Sequence, residues 1–83
     1  MKIIIKKFSA PWCAQCKVVE ANLKALGVEH IAIDVDKDEE AAAKYGIRNI
    51  PTIIIEDEEG NILERIAGIV SRTRLKEIID KYE

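Results

Sequence analysis

The sequence predicts a small α/β fold with the element order β-α-β-α-β-β-α. Runs of β-branched residues alternate with segments whose apolar residues recur at helical spacing, which indicates strands separated by helices. A short polar turn separates the last two apolar runs, which is typical of a β-hairpin. Because 83 residues supply apolar surface for one core, we expect a single domain over residues 1–83. A central four-stranded mixed sheet with helices on both faces would explain why the strands are apolar throughout.

The first part of the chain contains two predicted strands with a helix between them. The first strand is expected over Lys2–Phe8, a nearly unbroken β-branched run, and the second over His30–Val35. Between them, apolar residues recur at helical spacing from Cys13 to Leu26, and Gly27 follows where a left-handed C-cap belongs. A right-handed crossover predicts that the first two or three strands are partly parallel.

A short helix is predicted in the middle of the chain. Asp36 followed by Glu39 resembles a capping box, with Asp36 as the N-cap. The alanines at 41–43 favour a helix, and Gly46 is expected to end it.

The chain closes with a predicted hairpin and a helix. The hairpin strands are expected over Thr52–Ile55 and Ile62–Ala67, and the turn Glu56–Asn61 is expected to be solvated. Ser71 is the expected N-cap of the last helix. Its apolar side chains form one stripe at helical spacing: Leu75, Ile78, Ile79 and Tyr82.

Composition and charge exclude several classes of function. Hydrophobic residues make up 48% of the chain, but none of its apolar runs approaches the ~20 residues of a membrane span. The apolar run at 3–5 is too short for a secretory signal, so we expect a cytoplasmic protein. Acidic and basic residues are interspersed with a net charge of −2, which gives no basic face for nucleic acid. We expect a monomer.

The two cysteines are three positions apart, at the point where the first strand gives way to the first helix. Residues at this spacing share one helical face, so the sulfurs of Cys13 and Cys16 can approach bonding distance. The helix N-terminus favours a thiolate at Cys13, and we expect this thiol to be the more exposed of the two. A thiolate of this kind attacks disulfides, and Cys16, one turn deeper, can resolve the mixed disulfide. The pair therefore predicts a thiol-disulfide oxidoreductase.

Three segments carry a resemblance to a known family. They are Trp12–Lys17 with both cysteines, Tyr45–Thr52 with Pro51, and Ala67–Ser71 with the following Leu75, Lys76 and Glu77. In these residues and their separation, the chain resembles the thioredoxin superfamily, as a small member without the family's usual first strand and helix.

The resemblance implies a substrate groove beside the cysteines. We use the term substrate groove for five residues: Trp12, Ile50, Pro51, Ala67 and Gly68. Trp12 would lie next to the nucleophile, Ile50 would offer its backbone to an extended substrate, and Gly68 would leave room for it. The Ile50–Pro51 bond is expected to be cis. The resemblance further implies disulfide-containing protein substrates and an external reductase of the thioredoxin reductase type, with no cofactor bound by the chain itself.

Lys7 departs from the family pattern. Thioredoxins carry a buried acid six residues before the first cysteine, where this sequence has Lys7, and the lysine that usually partners that acid falls at Ala32. A charged Lys7 would stabilise a thiolate and bias the protein toward its reduced form. We expect its stem to carry that charge to solvent, whereas a buried neutral amine could act as a base. Lys7 and Lys17 are thus candidates for electrostatic tuning.

Other readings of the cysteine pair remain open. A glutaredoxin-like protein recharged by glutathione would use the same couple, although the Thr-Val-Pro and Gly-Gly-x-x-Asp patterns are missing. A non-catalytic module could hold a protein or a soft metal ion in the same groove. We predict no metal site, because His30 is the only further soft donor and should lie at the opposite end of the sheet.

Overall fold

The predicted order of elements is confirmed by a computed structural model, which describes residues 2–82. The elements are β1 Ile3–Ser9, α1 Ala14–Ala25, β2 Ile31–Asp34, α2 Glu39–Lys44, β3 Thr52–Asp57, β4 Ile62–Ala67 and α3 Arg72–Asp80. Within that range, the helices are all too short and too polar to cross a lipid bilayer.

The four strands form one mixed sheet with the spatial order β2-β1-β3-β4. β1 pairs in parallel with β2, as a crossover through α1 requires, while β3 is antiparallel to both β1 and β4. The parallel pairing predicted for the first two or three strands is therefore restricted to the first two. The central strands β1 and β3 contribute the most deeply buried side chains, whereas β2 and β4 form the partly exposed edges.

Helices cover both faces of the sheet, as the apolar strands predicted. On one face, α1 and α3 place Leu23 and Leu75 against Ile53 and Ile55 of β3. On the other face, Phe8 and Ile54 pack with residues of and around α2. Because side chains alternate along a strand, neighbouring residues of β1 and β3 enter opposite layers.

The N-cap of α2 is Asp38, so the prediction of Asp36 was wrong. The carboxylate of Asp38 accepts a hydrogen bond from the amide of Ala41 at 3.0 Å. Residues 34–38 first form a turn, in which the carbonyl of Asp34 accepts bonds from the amides of Lys37 and Asp38. This turn delays the helix to Glu39 and leaves the side chain of Asp36 available for another contact.

Glu56 lies in β3 rather than in the solvated turn predicted for it. The strand extends to Asp57, and Glu56 is only 3% exposed. Its carboxylate is bound by Lys6 and Tyr45, which provide the partners that a buried charge requires. The turn proper begins at Asp57, whose carboxylate accepts bonds from the amides of Glu59 and Asn61.

Candidate active site

The two cysteines lie at the start of α1 and are joined by a disulfide. Cys13 is the N-cap, with extended backbone, and its sulfur accepts a hydrogen bond from the amide of Cys16 at 3.1 Å. The Cα atoms of the pair are 5.3 Å apart. The first turn, residues 14–17, has no acidic side chain that would oppose a thiolate. The structure thus brings together the two residues that the spacing predicted.

Both cysteines are largely covered by apolar neighbours. Cys13 is 7% exposed and Cys16 is 3% exposed, so the predicted order of exposure holds by a small margin. They form a cluster with Ala10, against which Val35 and Ile50 pack. Another molecule can therefore reach either sulfur only by close contact with the surrounding surface.

Trp12 presents most of its indole ring to solvent, with 71% of the residue exposed. Its ring N–H donates a hydrogen bond to a carboxylate oxygen of Asp36 at 2.7 Å. This bond connects the residue before Cys13 to the loop after β2. Sequence analysis missed the role of Asp36, because it assigned that side chain to the cap of α2.

The remaining residues of the substrate groove come from the loop before β3 and from the end of β4 with the glycine that follows it. The Ile50–Pro51 bond is cis, which confirms the prediction. The amide of Gly68 donates to the carbonyl of Pro51 at 2.8 Å, and Ala67 is the register partner of Thr52. Gly68 has a φ of 84°, a backbone conformation that other residues rarely adopt. The cis bond and the glycine turn thus lie side by side, next to the cysteine cluster that Ile50 contacts.

The prediction that Lys7 carries its charge to solvent was wrong. Its side chain is 5% exposed, and its ammonium pairs with a carboxylate oxygen of Glu20 at 3.4 Å. The positive charge of Lys7 is the main reason why the pKa of Glu20 lies below its ordinary value, with Lys24 contributing in the same direction. Lys7 therefore lies beneath α1, paired with an acid from that helix.

A cavity of about 270 Å³ lies beside the inner cysteine. Cys16 lines it together with four charged residues: Lys7, Lys17, Glu20 and Asp34. The two candidates for electrostatic tuning are thus both close to the site, Lys7 buried and Lys17 exposed. Sequence analysis missed Glu20, although its spacing of four residues from Cys16 places both on one helical face.

Comparison with known proteins decides the family. Residues 1–81 match the thioredoxin family model. The chain belongs to the thioredoxin family. Thioredoxin from Bacillus subtilis is 33% identical over 86 residues, covering 96% of this chain and 82% of the relative.

Solved thioredoxin structures have the same fold. A mutant thioredoxin from Halobacterium salinarum superposes with a TM-score of 0.87 at 28% identity, covering 96% of this chain and 74% of that one. Thioredoxin from Fasciola hepatica superposes with a TM-score of 0.86 at 33% identity, covering 99% of this chain and 82% of that one.

Family membership and the cysteine pair together establish the activity. The protein is a thiol-disulfide oxidoreductase that works through a dithiol-disulfide couple. The thioredoxin family implies protein disulfides as the class of substrate and thioredoxin reductases as the class of electron donor.

Proposed function

We propose that this member of the thioredoxin family reduces protein disulfides, with Cys13 as the nucleophile and Cys16 as the resolving thiol. The thiolate of Cys13 attacks one substrate sulfur, and the other substrate sulfur leaves as a thiol after taking up a proton. Cys16 then loses its proton and attacks the sulfur of Cys13. The Cys13–Cys16 disulfide forms, and the second substrate sulfur leaves. The substrate gains the two electrons that the dithiol loses.

The observation that carries this assignment is the position of Cys13 at the N-cap of α1. Its sulfur already accepts the amide of Cys16, and unpaired amides at a helix N-terminus stabilise a negative sulfur. Cys16 lies one turn inside the helix, where a thiolate gains less from the terminus. The thiol of Cys13 is thus the better attacking group.

The substrate groove would bind the substrate as an extended strand. Ile50 packs against the cysteine cluster, and exposed Trp12 directly precedes Cys13 in the chain. Main-chain pairing tolerates many side chains, so we propose broad specificity for extended segments around a disulfide.

We further propose that residues 1–83 act as one monomeric domain in the cytoplasm. An external reductase of the thioredoxin reductase type would return electrons to the Cys13–Cys16 disulfide. The charges of Lys7 and Lys17 would tune the stability of this disulfide relative to the dithiol. The charged residues next to Cys16 support this last point.

A disulfide-reduction assay tests the proposal. Reduction of a protein disulfide such as that of insulin is followed with NADPH and a thioredoxin reductase, or with glutathione and its reductase. We expect the first system to support turnover, Cys13→Ser to abolish it, and Cys16→Ser to accumulate a mixed disulfide. Turnover with glutathione alone would indicate the glutaredoxin-like reading, and absence of turnover in both systems would indicate a binding module.

Selective alkylation tests which cysteine is the nucleophile. Iodoacetamide should label Cys13 of the reduced protein first near neutral pH, since the thiolate is the reactive form. Mass spectrometry of the peptides locates the label, and preferential labelling of Cys16 would overturn the assignment.

A further inference from the structure

Lys7 is a buried cation at a place where an apolar residue would ordinarily be favoured. It points into the layer between the sheet and α1, and the residue is 4% exposed. Burying a charge is costly unless it is paired, and a buried pair can often be replaced by apolar residues without loss of stability. A buried ion pair is therefore weak evidence that this lysine serves stability. Its position on the cavity that Cys16 lines indicates a role in the chemistry.

Glu20 is placed to act on the same thiol through Lys7. It follows Cys16 by four residues on α1, so the two side chains lie on one helical face. The carboxylate is 38% exposed and 3.4 Å from the ammonium of Lys7, so it contacts both the cation and water. Other charges around it come from three elements: Lys17 and Lys24 on α1, Asp34 on β2, and His30 before β2.

We propose that Glu20 acts on the resolving step through Lys7, by offsetting part of its positive charge and so limiting how strongly Lys7 stabilises the Cys16 thiolate. The inference rests on the proposed function of Cys16 as the resolving thiol. In that step, the thiol of Cys16 gives its proton to water, and its sulfur then forms the bond to Cys13 while the bond to the substrate breaks. The anion that exists in between is the species on which the Lys7–Glu20 pair acts.

The two charges of the pair have opposite effects on the thiol-disulfide equilibrium. Lys7 stabilises a thiolate but gains nothing from a neutral thiol or a neutral disulfide, so it favours the reduced protein to the extent that its dithiol is ionised. Glu20 repels the same thiolate and offsets part of that effect. Removing Glu20 should therefore favour the reduced form, and removing Lys7 should favour the disulfide.

A double-mutant cycle separates this role from a structural one. The variants are Glu20→Gln, Lys7→Met and their combination, and the equilibrium with glutathione is measured for each at increasing pH, up to values at which the reduced protein carries a thiolate. Glu20→Gln should shift the equilibrium toward the dithiol by about threefold to tenfold, and Lys7→Met should shift it by a similar factor toward the disulfide. The double variant should lie within about twofold of the wild type, because both opposing charges are gone.

The pH dependence of the resolving step gives an independent measurement. The reduced protein is mixed with an aromatic disulfide whose thiol product is coloured. The second molecule of product is released only when Cys16 attacks, and Cys16→Ser should abolish this phase. The pH midpoint of the second phase should fall in Glu20→Gln and rise in Lys7→Met, by up to about one unit. Glu20→Asp, which keeps the charge, should lie closer to the wild type than Glu20→Gln does.

Lys24→Met is the matched control. Lys24 also pairs with Glu20, at 3.9 Å, but its side chain is 72% exposed and water screens its charge. Its removal should leave both measurements unchanged. Provided that the wild type reduces insulin, two results would overturn the proposal. In the first, the Glu20 and Lys7 variants shift the equilibrium in the same direction. In the second, they shift neither the equilibrium nor the pH midpoint. A wild type without reductase activity would instead refute the proposed function.

Discussion

Lys6 and Lys7 are neighbours on β1, yet they enter opposite layers of the molecule. Lys6 lies on the α2 face, where its ammonium contacts a carboxylate oxygen of Glu56 at 2.6 Å and the hydroxyl of Tyr45 at 2.7 Å. Tyr45 in turn donates to Glu56 at 2.8 Å, which closes a triangle of three polar groups. Lys7 lies on the α1 face, where it pairs with a partly exposed carboxylate at 3.4 Å beside Cys16.

The difference shows how one strand can hold two cations, Lys6 partly buried and Lys7 buried, for different purposes. The triangle of Lys6, Tyr45 and Glu56 is compact and lies on the face of the sheet away from the cysteines, so its main effect is on stability. The pair of Lys7 and Glu20 is longer and open to water on one side, so its loss costs little stability. Its proximity to Cys16 instead gives it an influence on the thiol. The predictions below test this separation of roles.

Lys6→Met should cause the largest loss of stability. Glu56 would remain charged and 3% exposed, with Tyr45 as its remaining polar partner in the triangle. Removing one member of a buried ion pair costs about 3–5 kcal/mol, and the bond from Tyr45 to Glu56 places the loss at the lower end, about 3 kcal/mol. Urea unfolding at neutral pH measures the free energy of unfolding.

The same variant should leave the redox chemistry unchanged. The equilibrium of Lys6→Met with glutathione should match that of the wild type, because Lys6 and Cys16 lie on opposite faces of the sheet. A shift as large as that expected for Lys7→Met would contradict the separation of the two faces.

Lowering the pH should reduce the contribution of the triangle to the free energy of unfolding, because Glu56 then takes up a proton. Burial alone raises the pKa of Glu56, but the hydrogen bonds from Lys6 and Tyr45 outweigh it and hold the pKa below the ordinary 4.5. A carboxyl whose pKa is lower in the native state stabilises the fold above pH 4.5, and that contribution is lost as the pH falls through the native pKa. The free energy of unfolding should therefore decline below pH 4.5, and Glu56→Gln should flatten the decline.

Glu20→Gln provides the comparison for this measurement. The pKa of Glu20 is also lowered, chiefly by the charge of Lys7, so its contribution has the same sign. It should be smaller, because the carboxylate is 38% exposed and solvent screens the pair. The decline should thus flatten more in Glu56→Gln than in Glu20→Gln, and the reverse order would show that the pair beside Cys16 is the stronger one.

At high pH the free energy of unfolding should decline again, because Lys6 of the triangle then loses its proton. The hydrogen bond to Glu56 is the largest cause that raises the pKa of Lys6 above its ordinary value of 10.5. The contribution of Lys6 is therefore fully present below pH 10.5 and is lost as the pH rises through the native pKa. Lys6→Met should flatten this second decline, whose slope is read from unfolding curves at increasing pH.

Local patterns were sufficient to predict the order of elements and the central pair of the site. A spacing of three residues at a strand-to-helix junction specifies which sulfurs meet, since it depends only on helical geometry. Gly27, with a φ of 67°, ends α1 where the C-cap signal placed it. The match around Pro51 likewise predicted the cis bond, which is a property of a short contiguous segment.

Contacts between elements were not predictable in the same way. Glu56 follows three isoleucines and precedes a polar run, so the sequence suggested a turn. Its burial becomes favourable only because the register of β1 and β3 brings Lys6 close to it. The pairing of Lys7 with Glu20 similarly depends on how α1 packs across the sheet. The sequence thus fails to predict the burial and the ion pairs of charged residues whose partners lie far away along the chain.

The smallest effect on stability is expected for Lys7→Met. The variant removes a buried cation but leaves Glu20 in contact with water and with Lys24 at 3.9 Å, so no unpaired buried charge remains. Methionine can also occupy much of the space of the lysine stem with apolar atoms. The free energy of unfolding should therefore stay within about 1 kcal/mol of the wild type.

Urea unfolding of Lys7→Met beside Lys6→Met provides the check, since the same substitution is made at adjacent positions of one strand. A loss in Lys7→Met equal to that in Lys6→Met would mean that Lys7 is a structural residue. A small loss together with a shifted glutathione equilibrium would mean that the protein keeps this cation for the chemistry of Cys16, because an apolar residue would serve the fold equally well.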